Sequence, residues 1–322
     1  MVAKFTLAGG TQQLSVCLAE RLGGECVRLN SPVTAIRQGD DGVEVRTASE
    51  SFTCKVVIVT CPPHMAAKLQ YQPPLPAERQ LLCQHMPVGH MIKFIVTYPT
   101  AFWREKGFSG EIVTRPSNNC PFSVTFDATS PSGSAALVGF IAGLQAYDWS
   151  SRKLEERRDA VVASLVRYLG PEASSFIHYV EKDWAQEAYS GGCPVNVMVP
   201  GMLTYFHPSL RRPFGRIHWA GTETATKWCG YMSGAIQSGH RVALEVLARL
   251  SPHKLSQEEK EAARGPDQPH ARSDLWSHVI CYTPFPVTLT LTVITLGATL
   301  LLVKPQLRSD LIGQMVAWLP KY

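Results

Sequence analysis

Several signatures of familiar chemistry are missing from this chain. No two of its 24 glycines are separated by a single residue, which excludes the G-x-G-x-x-G fingerprint and with it a complete phosphate cradle. None of its nine cysteines pair at the C-x2-4-C spacing of a zinc site, and the ten histidines include no H-E-x-x-H pair. A G-x-S-x-G nucleophile elbow is also missing. We therefore expect isolated histidines such as His178 and His218 to be structural.

What is present is typical of an ordinary globular protein. The chain has 322 residues, 45% hydrophobic and 18% charged, which is enough for two compact units and excludes a disordered or collagen-like chain. A net charge of +5 is too mild for a dedicated nucleic-acid binder. No basic start with a long apolar core is found near Met1, so we expect no export and mostly reduced cysteines.

Hydrophobic periodicity predicts a mixture of helices and short strands. Leucines four residues apart predict a helix over residues 12–22, and a second helix is predicted over 154–169. A third is predicted to begin near Tyr231. Apolar and β-branched runs predict strands at 27–29, 33–37, 43–47, 55–60, 91–98, near 122–126 and at 136–144.

These elements predict one folded unit over residues 1–63 and a second over residues 64–185. The stretch that follows, 186–250, is rich in glycine and aromatic residues. Residues 251–278 are polar and contain several prolines, so we expect a linker there.

The C-terminal segment carries a strong physical signal. No Asp, Glu, Lys or Arg lies between Asp274 and Lys304. A helix of roughly 20 apolar residues spans the hydrocarbon core of a bilayer. We therefore expect a transmembrane tail anchor at 279–303, a basic tail at 304–322 and a globular part facing the cytosol. The alternative is a buried core helix.

The most informative block runs from Trp184 to Gly239. Two consecutive glycines precede Cys193, so a large planar group can approach its sulfur. An apolar strand then leads into Gly221-Thr222-Glu223, and Gly230-Tyr231 opens a helix. The positive end of that helix suits an anionic partner such as a phosphate or a reduced flavin.

This block resembles the flavin-binding region of the monoamine oxidases. The resemblance rests on Ser-Gly-Gly-Cys at 190–193 and Gly-Thr-Glu-Thr-Ala-Thr at 221–226, and it continues through 88–93 and 168–170. It implies an α/β (α+β mixed) fold: an incomplete FAD-binding Rossmann-like domain formed by residues 1–63 and 186–250, a mixed-sheet substrate-binding domain at 64–185 and a C-terminal transmembrane helix. It also implies FAD held covalently through Cys193, for which the alternative is a buried free thiol.

The resemblance assigns further site residues. Lys93 would be the lysine that bonds through water to the flavin, and Tyr231 one of two tyrosines that guide the amine. These two are the expected catalytic residues. The alternative for Lys93 is an exposed lysine at a strand edge, and the alternative for Tyr231 is aromatic packing in the core. Besides Cys193 and Tyr231, the residues expected to touch the cofactor are Trp184, Val33, Gly221, Thr222, Glu223, Gly230 and Met232. Phe140 and Val124 are expected to line the substrate cavity with Tyr231.

Two departures from the family pattern matter. Pro194 stands where the family has its second tyrosine, so one aromatic wall is lost and we expect weaker turnover. The family's N-terminal βαβ unit with its glycine fingerprint is missing from the sequence, which puts tight FAD capture in doubt.

The function that the resemblance implies is flavin-dependent oxidative deamination of primary amines to aldehydes, with release of ammonia and hydrogen peroxide. The expected partners are an amine, oxygen, a membrane and a second copy of the chain, at the mitochondrial outer membrane. The alternative is a catalytically silent, membrane-anchored homologue that pairs with full-length relatives. A polyamine oxidase is a weaker third possibility, since those relatives usually lack both the cysteine and the anchor.

Overall fold

The structure, a computed structural model, describes residues 9–202 and 206–264, which form three β-sheets and the helices around them. The strands are β1 (Val33–Gln38), β2 (Val43–Thr47), β3 (Ser51–Cys54), β4 (Val57–Val59), β5 (Gln70–Gln72), β6 (Met91–Tyr98), β7 (Ile112–Val113), β8 (Val124–Asp127), β9 (Ala135–Ala142), β10 (His178–Asp183) and β11 (Ile217–Trp219). The helices are α1 (Gln12–Leu22), α2 (Pro63–Ala66), α3 (Ala77–Gln84), α4 (Phe102–Glu105), α5 (Leu144–Ser150), α6 (Leu154–Leu169), α7 (His207–Arg211), α8 (Met232–Leu250) and α9 (Gln257–Ala263).

The first sheet is a short meander with the strand order β3-β2-β1-β5. A turn at Asp40-Asp41-Gly42 joins β1 to β2, and Gly39 N donates to Gly42 O at 2.9 Å. Strand β5 pairs with β1 in parallel, whereas β1, β2 and β3 pair antiparallel. Ile36 and Val43 bury the inner face of this sheet.

Strands β4 and β11 form a separate parallel pair that shares its core with the meander. Val59, Ile217 and Trp219 are buried in one cluster with Ile36 and Val43. This pairing explains the apolar composition of both runs, because strands of a parallel sheet are usually covered on both faces. The carboxyl ends of the two strands lead directly into Pro62 and Gly221.

The third sheet is antiparallel, in the order β10-β6-β9-β8-β7, and has two distinct faces. Alternate residues of β6, including Ile92 and Phe94, are fully buried. Val161 and Leu165 of α6 belong to the same core cluster, so α6 covers this face. The opposite face of β6, which includes Lys93, is half-buried and faces away from that core.

Most predicted elements are present, with local differences. Residues 27–29 form no strand, and Leu29 is 78% exposed. Within the stretch expected to be a linker, 251–278, the structure contains the helix α9, which packs against α8. A capping box begins α9: Ser256 accepts from Glu259 N, and the Glu259 side chain accepts from Ser256 N.

The expected fold class needs one correction. Its mixed α/β architecture agrees with the structure, but no helix within residues 9–202 and 206–264 is long and apolar enough to cross a membrane. Within these residues the expected transmembrane helix is therefore not found. The segments predicted as membrane anchor and basic tail, 279–303 and 304–322, lie outside the described residues.

Candidate functional site

Three of the expected cofactor-binding residues line one cavity of about 310 Å³. Trp184 follows β10, Cys193 lies in the loop after it, and Glu223 lies in the turn after β11. Pro62 and Val88 complete the apolar part of the wall. The cavity therefore forms where several strands end, which is the usual place for a ligand site in α/β sheets.

Close backbone packing fixes the Cys193 loop against the segment before β6. Cys193 N donates to Gly89 O at 3.0 Å, and Gly89 N donates to Val195 O at 3.2 Å. A Cβ on Gly192, where φ is +150°, would lie 2.6 Å from Val88 Cγ1 and would overlap the Gly89 carbonyl oxygen. A Cβ on Gly89 would lie 2.6 Å from Cys193 O. Both glycines are thus required by the close approach of two backbones.

The Cys193 thiol is half-buried and is held in its protonated form. Burial raises the pKa of this thiol, and the nearby Asp183 carboxylate raises it further. Asp183 in turn accepts from His90 Nε2 and from Ala185 N, both at 3.0 Å. These bonds join the start of β6 to the turn that carries Trp184.

Glu223 places an unpaired carboxylate in the cavity wall. The residue is only 6% exposed, and within the described part of the chain nothing donates a hydrogen bond to its carboxylate. Its oxygens are not enclosed by the protein, so they are placed to accept hydrogen bonds from a molecule in the cavity. The cavity therefore suits a ligand with hydroxyl or N–H groups.

A second group of expected residues forms a row across the antiparallel sheet. Lys93 of β6 pairs with Phe140 of β9, and Phe140 pairs with Val124 of β8. Directly opposed residues of antiparallel strands share a face, with Cβ atoms about 5 Å apart. The structure thus places Lys93 next to Phe140 on this face, with Val124 one strand further along the same row. Phe126 meets Phe140 edge to face at 6.5 Å and extends the aromatic wall.

On its other side Lys93 faces a second cation. Lys182 of β10 is directly opposite Lys93 in the strand pair, and it forms an ion pair with Glu187. No described residue forms a hydrogen bond or an ion pair with the ammonium of Lys93 itself. The Lys93 ammonium is therefore available to a ligand on this face.

The third group lies at the start of α8. Thr222 Oγ1 accepts from Gly230 N at 2.7 Å and donates to Tyr231 O at 3.0 Å, so one hydroxyl closes the loop between them. A Cβ on Gly221, where φ is +102°, would lie 2.8 Å from Thr60 O, which ties this loop to the end of β4. Met232 is the first residue of α8, as expected from the predicted helix start near Tyr231.

The aromatic arrangement around Tyr231 differs from a facing pair of tyrosines. Tyr231 is 64% exposed and meets Trp228 edge to face at 5.9 Å. Pro194 is exposed and has no aromatic ring to offer. Among the described walls of the 310 Å³ cavity, Pro194 is present and Tyr231 is not.

Val33 lies in a second, larger cavity. This cavity has a volume of about 560 Å³ and is lined by residues of β1 and β4, including Val57 and Val59. Tyr189 lines both cavities. Val33 therefore does not line the Cys193 cavity, but the cavity that it does line shares the Tyr189 side chain with it.

Sequence reasoning missed four polar residues that hold the site together. His90 and Asp183 form a hydrogen-bonded pair whose side chains are 7% and 13% exposed. His64 and Asn196 form another such pair beside Cys193. His64 follows Pro62-Pro63 directly after a predicted strand, and that position at a strand end was the one signal available.

The fold is similar to that of solved amine oxidases. Cyclohexylamine oxidase from Brevibacterium oxydans IH-35A matches with a TM-score of 0.71 and 32% identity over 75% of this chain and 53% of that one. Wild-type putrescine oxidase bound to putrescine matches with a TM-score of 0.70 and 32% identity over the same shares.

Sequence comparison gives the family. The model of the flavin containing amine oxidoreductases matches residues 3–247. A probable flavin-containing monoamine oxidase A of Dictyostelium discoideum is 41% identical over 77% of this chain and 54% of its own length. Amine oxidase [flavin-containing] A of Canis lupus familiaris is 40% identical over 79% of this chain and 49% of its own. The chain belongs to the flavin-containing amine oxidoreductase family and spans about half the length of these curated relatives.

Proposed function

We propose that this chain takes part in FAD-dependent oxidation of primary amines to aldehydes, with Cys193 as the covalent attachment point of the flavin. The observation that carries the proposal is the cavity in which Cys193, Trp184 and Glu223 meet. Its family membership and the amine oxidases of similar fold support the same activity.

The residues around this cavity fit a flavin. Trp184 and Val88 supply apolar contact for a ring, and the unpaired Glu223 carboxylate would accept hydrogen bonds from the hydroxyls of the ribityl chain. The glycines at 191 and 192 keep the approach to Cys193 free of side chains. Attachment would form a C–S bond in place of the thiol S–H and one ring-methyl C–H, and the two hydrogens with their electrons would pass to oxygen as hydrogen peroxide.

Bound FAD would supply the redox chemistry, accepting a hydrogen and two electrons from the carbon beside the amine nitrogen and passing the electrons to oxygen. The chain's own residues would bind and orient. Phe140 and Val124 form an apolar wall that favours the uncharged amine over the ammonium ion. The Lys93 ammonium adds positive charge beside that wall and disfavours a second cation there.

Overall the reaction balances as amine plus oxygen plus water giving aldehyde, ammonia and hydrogen peroxide. Tyr231, exposed at the start of α8, is the residue that we propose to contact the amine nitrogen. With Pro194 in place of a facing tyrosine, amine guidance rests on this one ring.

The test is covalent flavin in the full chain produced in the presence of FAD. Wild-type protein should retain yellow, fluorescent flavin after denaturation in acid, and Cys193→Ala should lose it. Cys229→Ala is the matched control, because Cys229 is also a free cysteine near the site but is exposed. Peroxide release from a primary amine is measured on the same samples. Colourless wild-type protein, or flavin retained by Cys193→Ala, would overturn the assignment, and colourless protein would favour the silent homologue.

A further inference from the structure

One imidazole holds both ends of the loop that carries Cys193. His64, in α2, lies with Nε2 2.8 Å from Ser190 O and with Nδ1 2.9 Å from Asn196 Nδ2. Residues 190 and 196 stand three positions before and three positions after Cys193. A side chain from a distant part of the sequence thus bonds to both ends of the loop, at residues 190 and 196.

The chemistry of the partners decides where the hydrogens lie. A backbone carbonyl can only accept, so Nε2 of His64 carries a hydrogen and donates it to Ser190 O. In the neutral ring Nδ1 then accepts, and Asn196 Nδ2 donates to it. The other N–H of the same amide donates to Met86 O. This arrangement satisfies both ring nitrogens of His64 and both N–H groups of the Asn196 amide, while the amide oxygen lies 3.2 Å from Nδ1 and receives no hydrogen from it.

Burial and packing show that this contact is specific. Asn196 is 8% exposed, and its backbone forms an isolated antiparallel bridge with Val88. A Cβ on Gly191 would lie 3.1 Å from His64 Nε2, so the ring lies directly against the loop backbone. A buried amide that lost its imidazole partner would be left with an unmade hydrogen bond, which is the costly case.

We infer that His64 is a positioning residue: it fixes loop 190–196 and so holds the Cys193 thiol against the cavity. His64 bonds to the loop before Cys193 through Ser190 O and after Cys193 through the Asn196 side chain. The inference rests on the proposed function only where it concerns flavin attachment. Bond formation there needs sulfur and carbon in near-contact, so each looser loop conformation lowers the attachment rate.

The first test measures the loop without any cofactor. In the full chain, His64→Ala should raise the alkylation rate of Cys193 by iodoacetamide and the hydrogen exchange of its backbone N–H about 5- to 30-fold, the range for one or two lost side-chain hydrogen bonds. Peptide mass spectrometry separates Cys193 from the exposed Cys17, Cys26 and Cys229. His178→Ala, at an exposed strand position, is the matched control and should leave both rates unchanged.

Further variants separate positioning from general loss of structure. His64→Gln places an N–H near the position of Nε2 and should recover the upstream contact, giving an intermediate rate. Asn196→Ala should raise both rates. The double variant with His64→Ala should be faster than either single variant but slower than the product of the two effects, because the residues share one bond while His64 also bonds Ser190 O and Asn196 also bonds Met86 O. Exchange at Phe94, inside the sheet core, should not change. Single variants within twofold of wild type, or effects that multiply in the double variant, would overturn the inference.

Flavin attachment is then followed in the same variants. His64→Ala should attach FAD more slowly than wild type although its Cys193 reacts faster with iodoacetamide. A small reagent only needs an accessible thiol, whereas flavin attachment needs the sulfur to be held close to the ring carbon. Failure of the proposed function is recognised separately, since Cys193→Ala would then keep covalent flavin or wild type would bind none, whatever the alkylation rates show.

Discussion

Gly192→Ala is the sharpest structural test of the site. At Gly192 φ is +150°, which costs a residue with a side chain about 1–2 kcal/mol. The new Cβ would also lie 2.6 Å from Val88 Cγ1 and would overlap the Gly89 carbonyl oxygen. Overpacking of this kind costs about 1–3 kcal/mol, so the free energy of unfolding should fall by about 2–5 kcal/mol in total.

The assay is thermal unfolding followed by far-UV circular dichroism. For a folded unit of this size, a loss of about 2–5 kcal/mol corresponds to a fall in Tm of about 4–20 °C. Gly239→Ala is the matched control, because Gly239 lies within α8 with no atom within 4 Å of a new Cβ. It should instead stabilise the helix by about 0.5–1 kcal/mol. A Tm of Gly192→Ala equal to that of wild type would refute the close packing described here.

Three further substitutions test charge in and near the site. Asp183→Asn removes a negative charge that raises the pKa of the Cys193 thiol, so alkylation of Cys193 should reach its half-maximal rate at a lower pH. Asp127 is partly desolvated, but hydrogen bonds from Arg104 and other donors outweigh that and hold its pKa at about 2. Asp127→Asn should therefore lower the Tm at neutral pH, with the difference lost as the pH falls below 4 towards 2. Lys93→Met removes the positive charge that disfavours a protonated amine beside Phe140, so amine turnover should fall, by about tenfold for each 1.4 kcal/mol lost, while the bound flavin remains.

Each of these has a control elsewhere on the surface. Asp41→Asn changes an exposed carboxylate in the first hairpin and should alter neither the Cys193 alkylation profile nor the pH dependence of Tm. Lys55→Met removes an exposed lysine and should leave turnover unchanged. An unchanged alkylation profile in Asp183→Asn, a Tm difference for Asp127→Asn that persists at pH 2, or full turnover by Lys93→Met would each contradict its argument.

Features of one stretch of chain were the easiest to predict. The glycines beside Cys193 were predicted to leave room for a planar group, whereas the structure shows that Gly192 and the distant Gly89 allow two backbones to pack closely. The helix after Tyr231 begins within one residue of its expected start. Such features depend on neighbouring residues, so they can be read from one stretch of chain.

Contacts between distant segments could not be read in the same way. His64 and Asn196 are 132 positions apart, and nothing in either local pattern indicates the other. The same holds for His90 and Asp183, which meet because β6 and β10 are neighbours in the sheet. The helix α9 is different, because the Ser-x-x-Glu signal at 256–259 was present in the sequence and supports a helix start inside a stretch that composition alone assigned to a linker.

Along β6, β8 and β9 the side chains alternate between the two faces of the sheet, so the same strands supply both the buried core and the opposite face that carries Lys93. Phe140 and Val124 project from the side opposite to the core that Ile141 and Thr125 fill, so their size can change with little disturbance to that core. Under the proposed function, exchanging these two side chains should change which amines fit while the scaffold stays intact.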